Sequence, residues 1–535
     1  MLAGTAASLA LPSWPRSSRA QSSPAVSEAA WRELGSKITG GVIRPNDPRF
    51  VRLTLPENLR YYNPPPQPGN GPPDPDAPFG FVRPKNPAEV AYAIQWSIDN
   101  NLPMVPRSGG HSYAGCSTVP GLVISSDASA MQTVSVDEDR RVVAGGGALF
   151  GHLLAVLRDT KCEGGIGPST IARGGCEFKP GSDTGRYTIT HGRCAGVGLS
   201  AYLMGGGLAL DSVFLGMGCD LVEKVEMVLA DGSVVQASEK ERPDLYWAVR
   251  GGGGGNLGFA TKWWLRPIIV QQVTAFTGSW RLGSNAHSVF GTLLRALDAA
   301  PDTMGSQLIL SSTAATIKSP WRYQITLSCE FHGSKADFDS ILGAALAFAD
   351  RAEARDCWFE NCSSKDLVEL PYWDAQEFFE IIGSPNRYQE TSVFADEISD
   401  DFIGAIFGVW PSWPGTVLAA RLSAYRLGGQ VSKVPPGATA FAHRSAKWLV
   451  STDIDWSGGD SAQTVATNLQ WQRAVHNAFS DLLGKPGSYY NFPDPGLPNH
   501  ARAYWGSNLD RLVAIKRLVD PNKMFNPPRN QGIVS

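Results

Sequence analysis

The segment VPRSGGHSYAG, residues 105–115, decides how this chain is interpreted. Its adjacent glycines allow the backbone to approach a ligand or another strand closely, and successive backbone N–H groups can bind a pyrophosphate. Two further clusters, Gly205-Gly206-Gly207 and residues 251–255, follow downstream. Each glycine cluster could instead form a structural turn that binds nothing, so no single cluster identifies a ligand.

Two common phosphate motifs do not fit these glycines. No Lys-Ser/Thr pair follows any cluster at the Walker spacing, which excludes a P-loop. A Rossmann fingerprint follows a strand and opens a helix, whereas residues 251–255 are followed by Asn256-Leu257-Gly258 and a β-like run from Ala260 to Leu265. Classical dinucleotide binding is therefore a poor interpretation.

Four more motifs follow the first in a fixed order: GRCAGVG at 192–198, MGGGL at 204–208, DLYWAVRGGGGGNLG at 244–258 and MFNPPRNQGI at 524–533. Together the five motifs resemble the berberine bridge enzyme-like branch of the vanillyl-alcohol oxidase superfamily of FAD-linked oxidases. The resemblance runs from about residue 35 to the end and is thin through the middle.

The resemblance implies an α+β protein with a two-subdomain PCMH-type FAD-binding domain and an antiparallel-sheet substrate domain backed by helices. It predicts an FAD-binding domain over 31–270, a substrate domain over 271–483, and a segment over 484–535 that completes the FAD domain. The residues of 271–480 favour the same α+β class, since strands such as 323–327 alternate with helical patterns such as 336–349.

Within this family FAD is attached covalently, which implies bonds from His111 to the flavin 8-methyl carbon and from Cys194 to flavin carbon 6. Without the resemblance, His111 would be interpreted as a turn histidine and Cys194 as a small buried apolar residue. The resemblance places these further residues near the cofactor: Arg107, Ser108, Gly109, Gly110, Ser112, Asp127, Val197, Gly198, Gly206, Asp220, Val225 and Asn491.

The same resemblance implies a catalytic base. Tyr489-Tyr490-Asn491 is similar to the family's Y-x-N motif, whose first tyrosine faces the flavin, so Tyr489 is the candidate; the alternative is a core aromatic residue. A free tyrosine has a pKa near ~10, so a neighbouring positive charge or hydrogen bond has to stabilise its phenolate. Val197 occupies the position where a small side chain favours an oxidase over a dehydrogenase.

Three functions remain open from the sequence. The first is an oxidase that oxidises an alcohol, with a sugar or oligosaccharide hydroxyl as the substrate and molecular oxygen reduced to peroxide. The second is a tailoring enzyme for a secondary metabolite, and the third is a catalytically silent flavin-containing binding protein. The candidates for supporting roles are Tyr372, Trp373, Glu390, Arg421 and Tyr425, for each of which packing is the simpler interpretation.

Composition limits the partners. The 535 residues carry 47 Lys plus Arg against 50 Asp plus Glu, a net charge of −3, which argues against binding nucleic acid or an anionic membrane. No segment reaches the ~18 apolar residues of a membrane span, and no C-x-x-C pair or other metal motif occurs. No metal site is therefore predicted.

The amino terminus indicates export. The run MLAGTAASLAL at 1–11 and the small residues around Ala20 resemble the second half of a secretory signal of the twin-arginine type, so we expect a periplasmic or extracellular protein with residues 1–30 as signal or tail. Cys162 with Cys176, and Cys357 with Cys362, are then candidate disulfides. The proline-rich stretch 64–78 predicts a loop, and the long segment 160–193 an insertion.

Local patterns predict several elements. Asn86, Pro87 and Glu89 predict the start of a helix, and Asp231-Gly232 predicts a hairpin between 225–229 and 234–235. A single helix is expected over 503–519. The segment Thr439–Arg444 resembles a structural segment of the family, so we expect neither His443 nor Arg444 to be catalytic.

Overall fold

The computed structural model describes residues 26–61, 77–158, 160–162, 176–178, 187–316, 322–356, 364–380, 386–484 and 487–533, with backbone only at 160–162, 176–178 and 355–356. Most of the predicted signal or tail over 1–30 lies outside this part of the chain, and its last residues begin a helix at Glu28. Nearly all of the proline-rich loop 64–78, most of the insertion 160–193 and the side chains of the four candidate disulfide cysteines also lie outside it. None of the described helices combines the length and the apolar character that a bilayer crossing needs.

The first sheet is small and lies near the amino terminus. Its strand order is β1-β2-β4-β3, with β4 parallel to both β2 and β3. The four strands are β1 (Val42–Ile43), β2 (Gly80–Val82), β3 (Met104–Arg107) and β4 (Leu122–Ser125). The helices that accompany it are α1 (Glu28–Lys37), α2 (Phe50–Thr54) and α3 (Pro87–Asp99).

Helix α3 begins where the sequence predicts. The Asn86 side chain accepts a hydrogen bond from the Glu89 backbone N–H at 3.0 Å, and Pro87 occupies the first turn, where no N–H is needed. Its buried Val90 and Ile94 pack in the core between α3 and the first sheet.

A second sheet of five antiparallel strands has the order β11-β10-β12-β6-β5. Two further strand pairs, β7 with β8 and β9 with β13, lie beside it. The strands of this region are β5 (Val134–Val136), β6 (Val142–Gly145), β7 (Thr160–Cys162), β8 (Cys176–Phe178), β9 (Tyr187–Thr188), β10 (Val222–Val228), β11 (Val234–Ser238), β12 (Phe259–Leu265) and β13 (Ile268–Ile269). The helices are α4 (Phe150–Leu157), α5 (Leu199–Met204), α6 (Ser212–Leu215) and α7 (Pro243–Val249).

The hairpin prediction is confirmed in this sheet. Strands β10 and β11 pair antiparallel with Val228 opposite Val234, so the chain reverses over the intervening residues that include Asp231 and Gly232. The β-like run after the third glycine cluster is strand β12, not a helix, which confirms that a Rossmann arrangement is absent at that point.

The third sheet is the largest and is wholly antiparallel, in the order β17-β14-β16-β15-β19-β20-β18. Its strands are β14 (Gln272–Leu282), β15 (Met304–Thr313), β16 (Tyr323–Phe331), β17 (Ser364–Pro371), β18 (Arg387–Ala395), β19 (Ala419–Arg426) and β20 (Trp448–Trp456). The helices of this region are α8 (Ala286–Asp298), α9 (Lys335–Asp356), α10 (Tyr372–Phe378), α11 (Asp400–Val409), α12 (Gly429–Lys433) and α13 (Ala462–Leu483).

The two faces of this sheet differ because side chains alternate along each strand. One face carries apolar residues such as Leu308, Leu310 and Leu327, which form a single core with Phe290 of α8, Phe338 of α9 and other helix residues. The other face is polar, and it includes Gln307, Glu390, Arg421, Ser423 and Tyr425. The expected antiparallel sheet backed by helices is confirmed, and its polar face is left for a ligand.

The carboxyl-terminal segment packs against the first half of the chain. Trp505 donates from Nε1 to the Gly251 carbonyl at 3.1 Å, and Lys516 donates from Nζ to the Asn256 carbonyl at 2.6 Å. Residues from both ends of the chain therefore build one unit around the glycine motifs, while the residue boundaries of the domains stay a prediction.

The single helix expected over 503–519 is wrong. Two helices occur instead, α14 (His500–Trp505) and α15 (Leu509–Val519), separated by a 3₁₀ turn at Gly506–Asn508. Gly506 has φ +48°, outside the right-handed helical region, and this glycine ends α14. The other 3₁₀ turns are Leu59–Tyr61, Ser129–Met131, Gly218–Leu221 and Trp410–Ser412.

Candidate active site

A cavity of about 280 Å³ opens between the first two sheets, the polar face of the third sheet and the carboxyl-terminal segment. Eleven of the fifteen residues predicted for the site line it. These are Arg107, Ser108, Gly109, Gly110, His111, Ser112, Cys194, Val197, Gly198, Tyr489 and Asn491. The structure thus brings residues from three distant parts of the sequence to one place.

The turn after β3 meets the loop before α5 backbone to backbone. A Cβ on Gly109 would lie 2.3 Å from the Gly196 carbonyl oxygen and 2.7 Å from the Gly198 nitrogen, so only glycine allows this approach. The approach places the segment that carries His111 beside the loop that carries Cys194.

Five buried polar side-chain atoms at the cavity have no hydrogen-bond partner among the described residues: Arg107 Nη1, Ser108 Oγ, Ser117 Oγ, Tyr202 Oη and Gln531 Oε1. Buried polar groups in folded proteins are nearly always hydrogen-bonded, so these atoms are free to bind a polar ligand or ordered water. A large ligand with phosphate and heterocyclic groups such as FAD satisfies donors and acceptors of this kind.

Arg107 is the main positive group of this turn. Its side chain is buried, and burial lowers its pKa to about 10, so it is still charged at neutral pH. Nη2 donates to the Leu55 carbonyl at 2.9 Å, while Nη1 has no partner in the described residues. An anionic phosphate beside Nη1 compensates a buried guanidinium of this kind.

His111 and Cys194 both line the cavity. A Cβ on Gly196 would lie 3.3 Å from His111 Nε2, so the imidazole lies against the loop that follows Cys194. Burial lowers the pKa of His111 to about 4 and raises the pKa of the Cys194 thiol to about 11, an effect that Arg193 opposes. At neutral pH the histidine is neutral, with a free nitrogen lone pair.

Tyr489 is almost fully buried at 2% exposure, and its hydroxyl accepts three hydrogen bonds. The donors are the backbone N–H of Gly207 at 3.1 Å, the backbone N–H of Leu208 at 2.9 Å and Asn491 Nδ2 at 3.1 Å. Burial raises the pKa of Tyr489 above its ordinary value, and the three donors oppose that rise. Hydrogen bonding to the charged form is what a tyrosine base requires.

Four predicted residues do not line the cavity. Asp127 accepts from Arg83 Nε at 2.9 Å, Val225 is fully buried in β10, and Gly206 packs near Phe441. Asp220 accepts from Arg444 Nη1 and Nη2 at 2.8 and 2.7 Å. The structure gives these residues local partners, and their contribution to cofactor binding stays a prediction.

The wall that faces the third sheet is aromatic, and sequence reasoning missed most of it. Tyr113 and Phe492 stack with centroids 5.9 Å apart, and Tyr425 lies 5.7 Å from Phe492. All three rings line the cavity. Tyr113 lies inside the first motif and Phe492 directly follows Asn491. Their position in or beside the motifs is the sequence feature that could have predicted them as cavity residues.

A polar pair continues this wall. Arg193, which precedes the predicted cofactor cysteine, lines the cavity and donates to Gln307 Oε1 on β15. Gln307 Nε2 in turn donates to Ser423 Oγ at 3.2 Å on β19. Aromatic rings beside hydrogen-bonding groups are a surface suited to a polyhydroxylated substrate.

The other supporting candidates have structural partners. Arg421 forms ion pairs of 2.6 Å with Asp453 and Asp455. Burial raises the pKa of Glu390 well above its ordinary value, with a further rise from Asp453. Tyr372 and Trp373 are buried in the core of the first half of the chain.

His443 and Arg444 have the structural environment expected of them. His443 Nε2 bonds the Tyr504 carbonyl at 3.0 Å, and Arg444, 1% exposed, holds Asp220. Neither residue lines the cavity.

Comparison with known proteins identifies the family. Residues 78–176 match the FAD binding domain family, and residues 488–533 match the berberine and berberine-like family. A xylooligosaccharide oxidase of Thermothelomyces thermophilus is 27% identical over 85% of this chain and 87% of its own length. The chain therefore resembles the berberine bridge enzyme-like flavoproteins at both of these regions.

Other known proteins are similar along most of the chain. A glucooligosaccharide oxidase of Sarocladium strictum is 26% identical over 84% of this chain and 86% of its own length. The Physcomitrella patens BBE-like 1 structure superimposes with a TM-score of 0.75 at 22% identity, covering 94% of this chain and 99% of that one. The protein is thus an FAD-dependent oxidoreductase with the PCMH-type fold.

Proposed function

We propose that this berberine bridge enzyme-like protein is an exported oxidase that oxidises a sugar or oligosaccharide hydroxyl and passes the electrons to molecular oxygen. The single observation that supports this most strongly is the meeting of His111, Cys194 and Tyr489 at one cavity. The relatives named xylooligosaccharide and glucooligosaccharide oxidase support the substrate class.

The cofactor in this proposal is FAD attached through His111 and Cys194. Arg107 and Ser108 would hold its pyrophosphate, because both have buried atoms without partners. A structural relative, the glucooligosaccharide oxidase of Acremonium strictum, is described with 6-S-cysteinyl, 8α-N1-histidyl FAD. When bound, FAD supplies the two-electron acceptor.

Tyr489 supplies the base. Oxidation of an alcohol removes a proton from oxygen while a hydride leaves carbon, so a proton acceptor has to lie beside the reacting hydroxyl. Among the described residues three groups donate to Tyr489 Oη, and these donors favour the phenolate, the form that can receive the substrate proton.

The aromatic wall and the polar pair position the sugar. Tyr113, Phe492 and Tyr425 offer ring faces against which a pyranose can pack, while Arg193, which Gln307 holds in place, offers hydrogen bonds. Val197, which also lines the cavity, leaves room for oxygen beside the cofactor.

The experiment measures the peroxide that the wild-type protein and the Tyr489→Phe variant release when supplied with a panel of mono- and oligosaccharides. The proposal predicts peroxide and flavin bleaching with at least one neutral sugar, and loss of both in Tyr489→Phe. Bleaching only by aromatic or alkaloid-like alcohols would instead favour the tailoring enzyme, and bound flavin that no substrate bleaches would favour a binding protein.

Export rests on the amino-terminal sequence alone. Fractionation of producing cells, followed by sequencing of the mature amino terminus, tests it. A mature chain that begins shortly after Ala20 outside the cytoplasm supports export, and full-length protein confined to the cytoplasm contradicts it.

A further inference from the structure

The Asn491 side chain lies between two parts of the site. Its Nδ2 atom donates to Tyr489 Oη at 3.1 Å and to the Tyr202 carbonyl at 3.1 Å. The second bond holds the amide in one orientation, with an N–H directed at the phenolic oxygen. Asn491 also lines the cavity, so its amide acts at the edge of the space that receives the ligand.

The middle glycine motif creates the space for this amide. A Cβ on Gly205 would lie 1.9 Å from Asn491 Oδ1 and 2.5 Å from its Cγ. Neither distance is tolerable, so any side chain at 205 displaces the Asn491 amide. The same turn supplies the two backbone donors, since the N–H groups of Gly207 and Leu208 point at Tyr489 Oη.

The Tyr489 ring is held independently of these donors. Its backbone N–H donates to Ser392 Oγ at 3.0 Å, and its ring packs edge-on against Phe492 at 5.1 Å and Phe394 at 6.3 Å. Loss of the Asn491 amide therefore leaves the ring in its packing and removes one donor from its oxygen.

We propose that Asn491 is a positioning residue for the catalytic base, whose amide completes a three-donor cradle that favours the phenolate of Tyr489, and that Gly205 is required because it makes room for that amide. The inference rests on the proposed function, in which Tyr489 takes the substrate proton. It gives Asn491 and the 204–208 turn a role in proton transfer, where the sequence suggested only closeness to the cofactor.

The physical reason is a difference between two charge states. A neutral phenol oxygen gains little from a third N–H donor, whereas a phenolate uses all three because each bond becomes charge-assisted. Burial raises the pKa of Tyr489, and the Asn491 hydrogen bond is the largest of the opposing effects. Removing Asn491 therefore makes the base harder to deprotonate.

The first test measures the base directly and needs no substrate. Fluorotyrosine is placed at position 489 of the flavin-loaded protein, and its ionisation is followed by fluorine NMR as a function of pH. In Asn491→Leu, which has a similar volume and no donor, we expect the midpoint to rise by about one to two pH units. Gly205→Ala should move it in the same direction without deleting any polar group.

The second test is the rate of anaerobic flavin reduction by xylobiose or cellobiose across the same pH range. We expect the rate to rise with pH, and the rise to shift to higher pH in Asn491→Leu, so that this variant is ~10- to 100-fold slower near neutral pH. Both variants should approach the wild-type rate once the base is deprotonated. If Asn491 had a purely structural role, Asn491→Leu would lower the reduction rate by the same factor at every pH.

The matched control is Asn468→Leu. Asn468 is a fully buried amide on α13 that donates to the Gly415 and Thr464 carbonyls, away from the cavity. We expect this substitution to leave the midpoint at 489 unchanged. If Asn491→Leu does not retain flavin, Asn491→Asp replaces it, since its carboxylate cannot donate and should raise the midpoint further.

The two failures are distinguishable. If the ionisation midpoint at position 489 is unchanged in Asn491→Leu and Gly205→Ala, the inference about the cradle is overturned, whether or not sugars reduce the flavin. If no sugar reduces the flavin, the proposed function is overturned, and the titration still decides whether Asn491 stabilises the phenolate.

Discussion

Tyr489 is the residue on which the proposed chemistry depends most. In Tyr489→Phe we expect flavin reduction by sugar to slow by about 10²- to 10⁴-fold, the usual contribution of a general base. The flavin should stay bound, because the ring packing against Phe492 and Phe394 does not involve the hydroxyl. Anaerobic stopped-flow reduction, beside the visible spectrum of the denatured protein, measures both effects.

A neighbouring residue provides the control for this substitution. Tyr490 is also buried, but its hydroxyl donates to the Gly254 carbonyl at 3.0 Å and not to any group of the Tyr489 cradle. Tyr490→Phe should change the reduction rate far less than Tyr489→Phe. Equal losses in the two variants would show that the hydroxyl at 489 is not the base.

At the residue scale the motifs predicted most residues of the glycine-rich side of the cavity and few of its aromatic side. The close backbone approach at Gly109 leaves a local signature in the sequence, and His111 and Cys194 lie in the same motifs. Tyr113 and Phe492 reach the cavity only through the fold, because an aromatic residue beside a motif packs equally well in a core. The Asp220–Arg444 ion pair could not be predicted either, since Arg444 comes from a distant segment.

At the scale of elements, a contact between Asp211 and His332 joins the two halves of the molecule. Asp211, just before α6, lies 3.1 Å from Nε2 of His332, which follows β16. The His332 ring stacks on Phe214 at 3.8 Å, and Gln376 donates to the nearby Glu330 at 2.7 Å. Asp211, Glu330 and His332 each have one atom that could bind a metal ion, and these three atoms lie within 4.8 Å of one another.

We expect Asp211→Ala to lower the free energy of unfolding by about 1–3 kcal/mol, because it leaves the buried His332 ring without its hydrogen-bond partner. The control is Asp510→Ala, which removes the exposed partner of Arg502 and should cost less than about 1 kcal/mol. Urea denaturation of the flavin-loaded protein measures both. Equal costs would contradict a special role for the contact between Asp211 and His332.

The lowered pKa of His443 determines part of the pH dependence of the free energy of unfolding. Burial lowers its pKa in the folded protein to about 4, below the ordinary value, so the unfolded chain binds this proton first as pH falls. Stability is therefore present above about pH 6.5 and is lost as pH falls towards about 4. In His443→Gln the loss between about pH 7 and about pH 5 should be smaller by ~2 kcal/mol. An unchanged loss in urea titrations at the two pH values contradicts this.

The elements themselves were predicted where a local signal exists. The start of α3 follows from Asn86, Pro87 and Glu89, and the β10–β11 hairpin follows from Asp231-Gly232, because caps and tight turns are determined by nearby residues. The break between α14 and α15 was missed, because Gly506 interrupts a pattern whose apolar spacing continues. The order of the seven strands could not be predicted, since it depends on pairing between distant segments.

At the scale of the whole molecule, both ends of the chain build the flavin side and the middle supplies the polar sheet. The proposed cofactor attachment through His111 and Cys194 would link a turn of the first sheet to the loop before α5. We expect the double variant His111→Ala, Cys194→Ala to lose flavin on dialysis and to unfold at a lower temperature, since a ligand that binds only the folded state stabilises it. Visible absorbance after dialysis measures the flavin loss, and circular dichroism during heating measures the unfolding temperature. The controls are the two single variants, each of which should retain one bond to the flavin.

The most direct measurement of the central claim is mass spectrometry of the acid-precipitated, protease-digested protein. The account predicts a yellow pellet and one FAD-derived adduct that joins the peptide containing His111 to the peptide containing Cys194. Each single alanine variant should then leave the adduct on the other peptide alone. A colourless pellet with free FAD in the supernatant, and both peptides at their unmodified masses, would contradict it.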